Sequence, residues 1–119
     1  MNIEEIKKRI RLFSEERDWE QFHSPKNLSM ALSAEVGELL DILQWIKEED
    51  TRIENIEEET LRLVKEELAD IFYYLIRISD KLNIDLEKEI INKMKINEQK
   101  YPINQNLSVT LQQFDHLLL

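Results

Sequence analysis

One glycine and two prolines are spread over 119 residues, so the chain has very few places where a helix is obliged to stop. Glu, Lys, Leu and Ile dominate what remains, and none of them resists helix strongly. A sequence so poor in turn formers is expected to fold as an all-α protein. Its length suits one domain, and an apolar content of 42% is enough to give that domain a core.

Hydrophobic periodicity divides the chain into four helical stretches. The first spans about Ile3 to Trp19, with Ile3, Ile6, Ile10 and Phe13 at helical spacing. Polar residues from Gln21 to Ser24 break it. Ser24-Pro25 is an N-cap and first-turn pair, so a second helix is expected from there to about Ile46. Lys47 to Asn55 is charged and aperiodic and reads as a loop. A third helix follows from about Ile56 to Leu82, with Leu61, Val64, Leu68, Ile71, Phe72, Leu75 and Ile78 on its apolar face. Asp85 caps a fourth helix from Leu86 to Lys100, and Pro102 ends it. Four helices with short connections suggest a four-helix bundle over residues 1–102. Residues 103–119 form a C-terminal tail, expected to fray or to pack on a neighbouring subunit.

Composition and charge exclude several function classes. The absence of cysteine excludes disulfides, Cys-ligated zinc and cysteine nucleophiles. No apolar signal region opens the chain, and no apolar run approaches the roughly 20 residues that cross a bilayer. The expectation is a cytoplasmic protein without a membrane partner. A formal net charge of −9 disfavours binding a nucleic-acid polymer over an open surface, which needs basic patches. A small anionic substrate stays compatible, provided a cation screens the acids from it.

The acids are not scattered evenly. Glu35 and Glu38, and again Glu67 and Asp70, lie three residues apart and so share a helix face. A solvated acidic surface is the plain alternative, but the neighbours disfavour it. Ala31, Leu32 and Leu39 surround Glu35, and Leu63, Val64, Ile71 and Tyr74 frame Glu67. Carboxylates gathered beside an apolar stripe repel one another and lose hydration, so they must either take up protons or share a cation. An all-oxygen set favours a hard ion such as Mg²⁺, which completes its shell with water and phosphate oxygens. Ala34 to Ile46 can be laid over Glu66 to Ile78 at a constant offset, pairing Glu35 with Glu67, Gly37 with Ala69, and Glu38 with Asp70. This suggests a pseudo-symmetric helix pair. Gly37 is costly inside a helix, and its place between two acids suggests a close approach of helices.

These motifs, with Arg17-Asp18-Trp19-Glu20-Gln21-Phe22-His23, Asn27-Leu28, Leu43-Gln44-Trp45, Tyr74-Leu75, Lys93-Met94, Asn97 and Tyr101-Pro102, carry a resemblance. The sequence resembles the all-α nucleoside triphosphate pyrophosphohydrolases of the MazG-like superfamily, whose signature is ExxE followed by ExxD, and among them the dCTP pyrophosphatase branch. The resemblance covers about Ile3 to Pro102. It implies Mg²⁺, with Mn²⁺ as a substitute, held by Glu35, Glu38, Glu67 and Asp70. The implied reaction is hydrolysis of (deoxy)nucleoside triphosphates, dCTP or related dNTPs, to monophosphate and pyrophosphate, in the service of nucleotide-pool house-cleaning. Glu38 is the first candidate to accept the proton of the attacking water and Glu66 the second. Trp19, His23, Trp45, Tyr74, Lys93 and Asn97 become candidates for contacts with base, sugar and phosphates. The eukaryotic relatives carry a His near the position of Ile10 that helps recognise the base, and its absence puts strict dCTP specificity in doubt. Members of the superfamily assemble through helix faces into dimers or dimers of dimers, so a homotetramer is expected, with a dimer as the alternative.

Three rival readings stand beside this one. The first is an enzyme of the same class with different specificity, such as a broad house-cleaning hydrolase acting on modified or non-standard dNTPs, which sequence does not separate from a dCTPase. A non-enzymatic helical partner-binding module would need an acid-free heptad seam, which Glu35, Glu38 and Glu67 interrupt. A third, a ferritin-like di-iron site, needs two Glu-x-x-His pairs; Glu20 to His23 forms one, and no second exists because Gln113 stands three residues before His116.

Overall fold

The computed structural model describes residues 2–103, and all regular structure there is helical. Four α-helices occur in order: α1 (Ile3–Glu16), α2 (Pro25–Leu43), α3 (Glu58–Lys81) and α4 (Leu86–Lys100). Short 3₁₀ turns at Glu20–Phe22 and Glu48–Thr51 lie in the α1–α2 and α2–α3 connections. The chain divides into two units, Met1–Ile84 and Asp85–Leu119. The first holds α1, α2 and α3, with α3 packed along α2 and also meeting α1. The second holds α4. Every residue of the tail except Ile103 lies outside the described residues.

Local chemistry accounts for most helix ends. Asn2, Ser24 and Asp85 each accept a backbone N–H three residues on, at 3.1 Å, and so satisfy donors that the first turn leaves free. Pro25 follows Ser24 where its missing N–H costs nothing. The expected first helix is too long by three residues. It ends at Glu16, and Asp18 adopts a left-handed φ of 55° that turns Trp19 out of the helical path. The second helix likewise stops at Leu43 rather than at Ile46.

The interior is small. Leu28 and Ile76 are the only fully buried apolar side chains among the described residues. Around them lie buried polar groups, each with a partner. Ser79 Oγ donates to the Ile76 carbonyl at 2.8 Å, Lys7 Nζ to the Ile84 carbonyl at 2.8 Å, and Ser14 Oγ shares a hydrogen bond with Tyr73 Oη at 3.2 Å. Lys7 and Ser14 thereby fasten the inner face of α1 to α3 and to the residues just beyond it.

The Gly37 expectation is not met within the chain. A Cβ at that position would find nothing within 4 Å, so α2 and α3 do not approach one another there. The glycine faces open space along with Val36 and Leu40, both about half exposed.

Candidate active site

α2 and α3 bring three acids together. One carboxylate oxygen from each of Glu35, Glu38 and Glu67 lies within 4.8 Å of the others. Oε2 of Glu35 and Oε2 of Glu67 are both buried, and no hydrogen-bond donor reaches either. Glu35 and Glu67 are the two residues paired by the internal repeat, so equivalent positions on α2 and α3 supply the two inward-facing acids. Glu38 and Asp70, the second repeat pair, lie more exposed at the edge. Asp70 is not part of the tight group, although its charge acts on both inner acids.

Crowding has an electrostatic consequence. The Glu67 carboxyl alongside it, then burial, then Glu38 and the charge of Asp70, raise the Glu35 carboxyl to about 7. For Glu67 the hydrogen bond with Glu35 pulls the value down, but burial and the charge of Glu38 outweigh it, and its pKa is raised. The two behave as one coupled pair. Without a donor from the rest of the protein, the orphaned oxygens can be relieved only by a proton held between them or by a cation. Their all-oxygen character fits a hard divalent ion.

A cavity of about 570 Å³ opens beside the acids. α1 lines it with Ile6, Arg9, Ile10 and Phe13, the connection after α1 with Trp19, and α3 with Ala69, Asp70, Tyr73 and Tyr74. Asp70 thus belongs both to the acidic motif and to the cavity wall. Phe13 and Trp19 meet edge to face with centroids 5.6 Å apart, and Tyr73 meets Tyr74 in the same way at 5.1 Å. Burial, then the charge of Glu35, raises the Tyr74 phenol above its ordinary value. Tyr74 therefore stays a neutral donor next to a negatively charged centre.

The sequence candidates separate into groups. Trp19 and Tyr74 line the cavity. His23 instead accepts at Nδ1 from Arg77 Nε, 3.1 Å away, with its ring 6.1 Å from that of Trp19. Trp45 is 85% exposed and is not part of the cavity wall. Glu66 is exposed and accepts from Arg62 at 2.8 Å. Lys93 and Asn97 lie one turn apart on α4, in the second unit.

Other residues escaped sequence reasoning. Ile6, Ile10 and Phe13 read as core positions, yet they form the wall of an open cavity, and periodicity cannot tell these two fates apart. Arg77 is 1% exposed and stands at the centre of a polar network. Its signal was present: a lone arginine between Ile76 and Ile78, inside the most apolar stretch of α3.

Comparisons with known proteins agree with this geometry. Residues 30–115 match the MazG-like family. The chain belongs to that family. It is 37% identical over 102 residues to rat dCTP pyrophosphatase 1, covering 86% of this chain and 60% of the relative. Against human dCTP pyrophosphatase 1 the identity is 37% over 100 residues, covering 84% and 59%. The chain therefore spans about 60% of the length of these curated relatives. A pyrophosphatase from Archaeoglobus fulgidus of known structure is 39% identical, with a TM-score of 0.76 over 83% of this chain and 91% of that one. The architecture of this MazG-like chain is thus shared with that pyrophosphatase. Among the described residues, no helix is long and apolar enough to cross a membrane.

Proposed function

We propose that this MazG-like chain hydrolyses deoxynucleoside triphosphates, dCTP or a close relative among them, to the monophosphate and pyrophosphate. The observation that carries the reading is the pair of orphaned carboxylate oxygens on Glu35 and Glu67, next to a cavity walled by aromatic rings. The volume falls in the range of small-molecule sites, roughly 300–1,000 Å³.

Glu35, Glu38 and Glu67 would hold Mg²⁺, or Mn²⁺ in its place, with Asp70 completing the set from the cavity side. When bound, such an ion neutralises phosphate oxygens and acidifies a water molecule. The chain's own side chains then have distinct tasks. Trp19 and Tyr74 flank the base and sugar, and Tyr74, one turn beyond Asp70, packs where a 2′-hydroxyl would project. Glu38 is better placed than Glu66 to take the proton of the attacking water, because Glu38 lies in the acid cluster and Glu66 is engaged by Arg62. Lys93 and Asn97 complete the proposal as phosphate contacts, and His23 and Trp45 as base contacts.

Assembly into a homotetramer, or a dimer, belongs to the same proposal. Among the described residues, two buried apolar side chains are a meagre core. Met30, Val36, Leu40, Leu68 and Leu75 meanwhile leave the outer faces of α2 and α3 apolar and exposed. Gly37 lies open on the same stretch of α2, where a neighbouring helix could approach closely. A cytoplasmic setting follows from where the nucleotide pool is found.

The test is pyrophosphate release from a panel of dNTPs and NTPs with Mg²⁺, for the wild type and for Glu38→Ala. Monophosphate plus pyrophosphate, lost in the variant, supports the proposal. Release of orthophosphate would overturn the position of cleavage, and no turnover would overturn the activity.

A further inference from the structure

The stretch Arg17–Ser24 supplies Trp19 to the cavity, yet it contains no α-helix and includes the left-handed Asp18. Its backbone hydrogen bonds are local. Trp19 N–H donates to the Ser14 carbonyl at 3.0 Å, Phe22 N–H to Trp19 at 2.9 Å, and His23 N–H to Glu20 at 3.2 Å. Among the described residues, only three hydrogen bonds tie this stretch to α3. Arg77 Nε donates to His23 Nδ1, Arg77 Nη2 donates to Glu20 Oε1, and Lys81 Nζ donates to Glu20 Oε2. Arg77 makes two of the three. Its remaining arm, Nη1, donates to Asp80 Oδ2 at 3.3 Å, and Asp80 is held in turn by both arms of Arg11 on α1, at 2.6 and 3.0 Å.

We propose that Arg77 is a positioning residue that sets Trp19 at a fixed distance from the acid cluster, and so governs how the base, rather than the triphosphate, is bound. Asp70, Tyr74 and Arg77 follow one another at i, i+4 and i+7 along α3. They share one helix stripe, with about 10 Å of rise from first to last. One rigid helix thereby carries an acid of the metal motif, one aromatic wall of the cavity, and the anchor for the opposite wall. The guanidinium suits the task because its planar fork fixes three acceptors at once, which a lysine ammonium does not. The bond to Nδ1 also leaves the His23 proton on Nε2, and so fixes which edge of the ring is a donor beside Trp19.

The inference rests on the hydrolase reading, and the experiment separates the two. Turnover is measured for wild type, Arg77→Met, Arg77→Lys and Glu20→Gln, on dCTP and on deoxyribose 5′-triphosphate, which lacks a base. Binding of the α,β-methylene analogue of dCTP is measured by calorimetry on the same proteins. Arg77→Met is expected to raise KM for dCTP about 10–100-fold, the factor that losing a stacked base brings. kcat should stay within about threefold, and the baseless substrate should be unaffected. Arg77→Lys should recover part of the loss. Glu20→Gln, on a half-exposed side chain that tolerates change, should move KM the same way if Arg77→Met does not fold. Equal losses on both substrates, or an unchanged KM for dCTP in every variant, overturn the inference. Analogue binding that depends on Arg77, without turnover of any substrate, overturns the hydrolase reading alone. No analogue binding by the wild type overturns both.

Discussion

Two charged clusters lie along the same helix, and they are built in opposite ways. Around Arg77, cations and anions alternate: Arg11, Asp80, Arg77, Glu20 and Lys81 each find a partner of opposite sign. Around Glu67, two to three turns earlier, only acids meet, and two of their oxygens find no donor. The pKa directions follow the same division. The hydrogen bond from Arg11 holds the Asp80 carboxyl below its ordinary value, while crowding holds that of Glu35 above. Burial of charge is tolerated where partners are complete and becomes a demand for a ligand where they are not. The first cluster therefore reads as architecture and the second as a site.

The contrast can be broken by experiment, most forcefully at the acids. Glu67→Gln should lower pyrophosphate release by three orders of magnitude or more, on the scale of losing electrostatic stabilisation of phosphoryl transfer. The metal-free variant should melt no lower than wild type, because a repulsive carboxylate has been removed. A Glu67→Gln protein that unfolds would show that this cluster, too, is architecture.

Arg77→Met is expected to behave in the reverse sense and cost stability, about 2–3 kcal/mol by denaturant titration. The cost falls short of a wholly buried pair because Asp80 keeps Arg11 and Glu20 keeps Lys81. A loss below about 0.5 kcal/mol would remove the argument that the network is complete.

The pH response sharpens the comparison further. Glu35 binds its proton more tightly in the folded than in the unfolded chain, so the native state holds the extra proton. That contribution is fully present below the ordinary carboxylate range and is lost as pH rises through about 7. The metal-free protein should therefore lose melting temperature between about pH 5 and 8. Saturating Mg²⁺ should restore it by roughly 5–10 °C at pH 8. Burial lowers the His23 pKa and acts in the opposite sense over the same interval, so the fall is read as the difference from Glu35→Gln, and an equal fall in that variant would contradict the crowding of the acids.

The smallest effect belongs to a third group of charges, on the surface. Arg62 bridges Glu59 at 2.6 Å and Glu66 at 2.8 Å, but all three are largely exposed. Arg62→Ala should move the melting temperature by no more than about a degree and leave turnover unchanged. A marked loss of activity would return Glu66 to consideration as the proton acceptor.

Much of this molecule could be read from residues that act on their neighbours in sequence. Ser24, Pro25 and Asp85 announce helix starts because a cap depends on only three or four residues. Glu35, Glu38, Glu67 and Asp70 were legible because 3.6-residue periodicity alone puts each pair on one face. Trp19 and Tyr74 were legible by family pattern, and both reach the cavity. The failures share a cause. The end of α1 was missed because Asp18 leaves the helix through a φ that depends on where Trp19 must go, not on its own propensity. Gly37 was expected to meet α3, but the side of α2 that faces α3 is set by packing. Phe13 looked like a core residue because an apolar side chain bears no mark of whether its neighbour is protein or an open cavity.

The sequence by itself determined that the chain is helical, where three of its helices start, and that two acidic pairs lie on two helix faces. These properties depend on backbone preference and on spacings of a turn or less. Only the tertiary structure decided that Glu35 and Glu67 point at each other with orphaned oxygens, while Glu38 and Asp70 stand at the rim. It alone also placed Arg77 against Glu20 and His23, more than 50 residues away in sequence. Such meetings depend on how α1, α2 and α3 rotate against one another, and that rotation is settled by the sum of many weak contacts that no local spacing records.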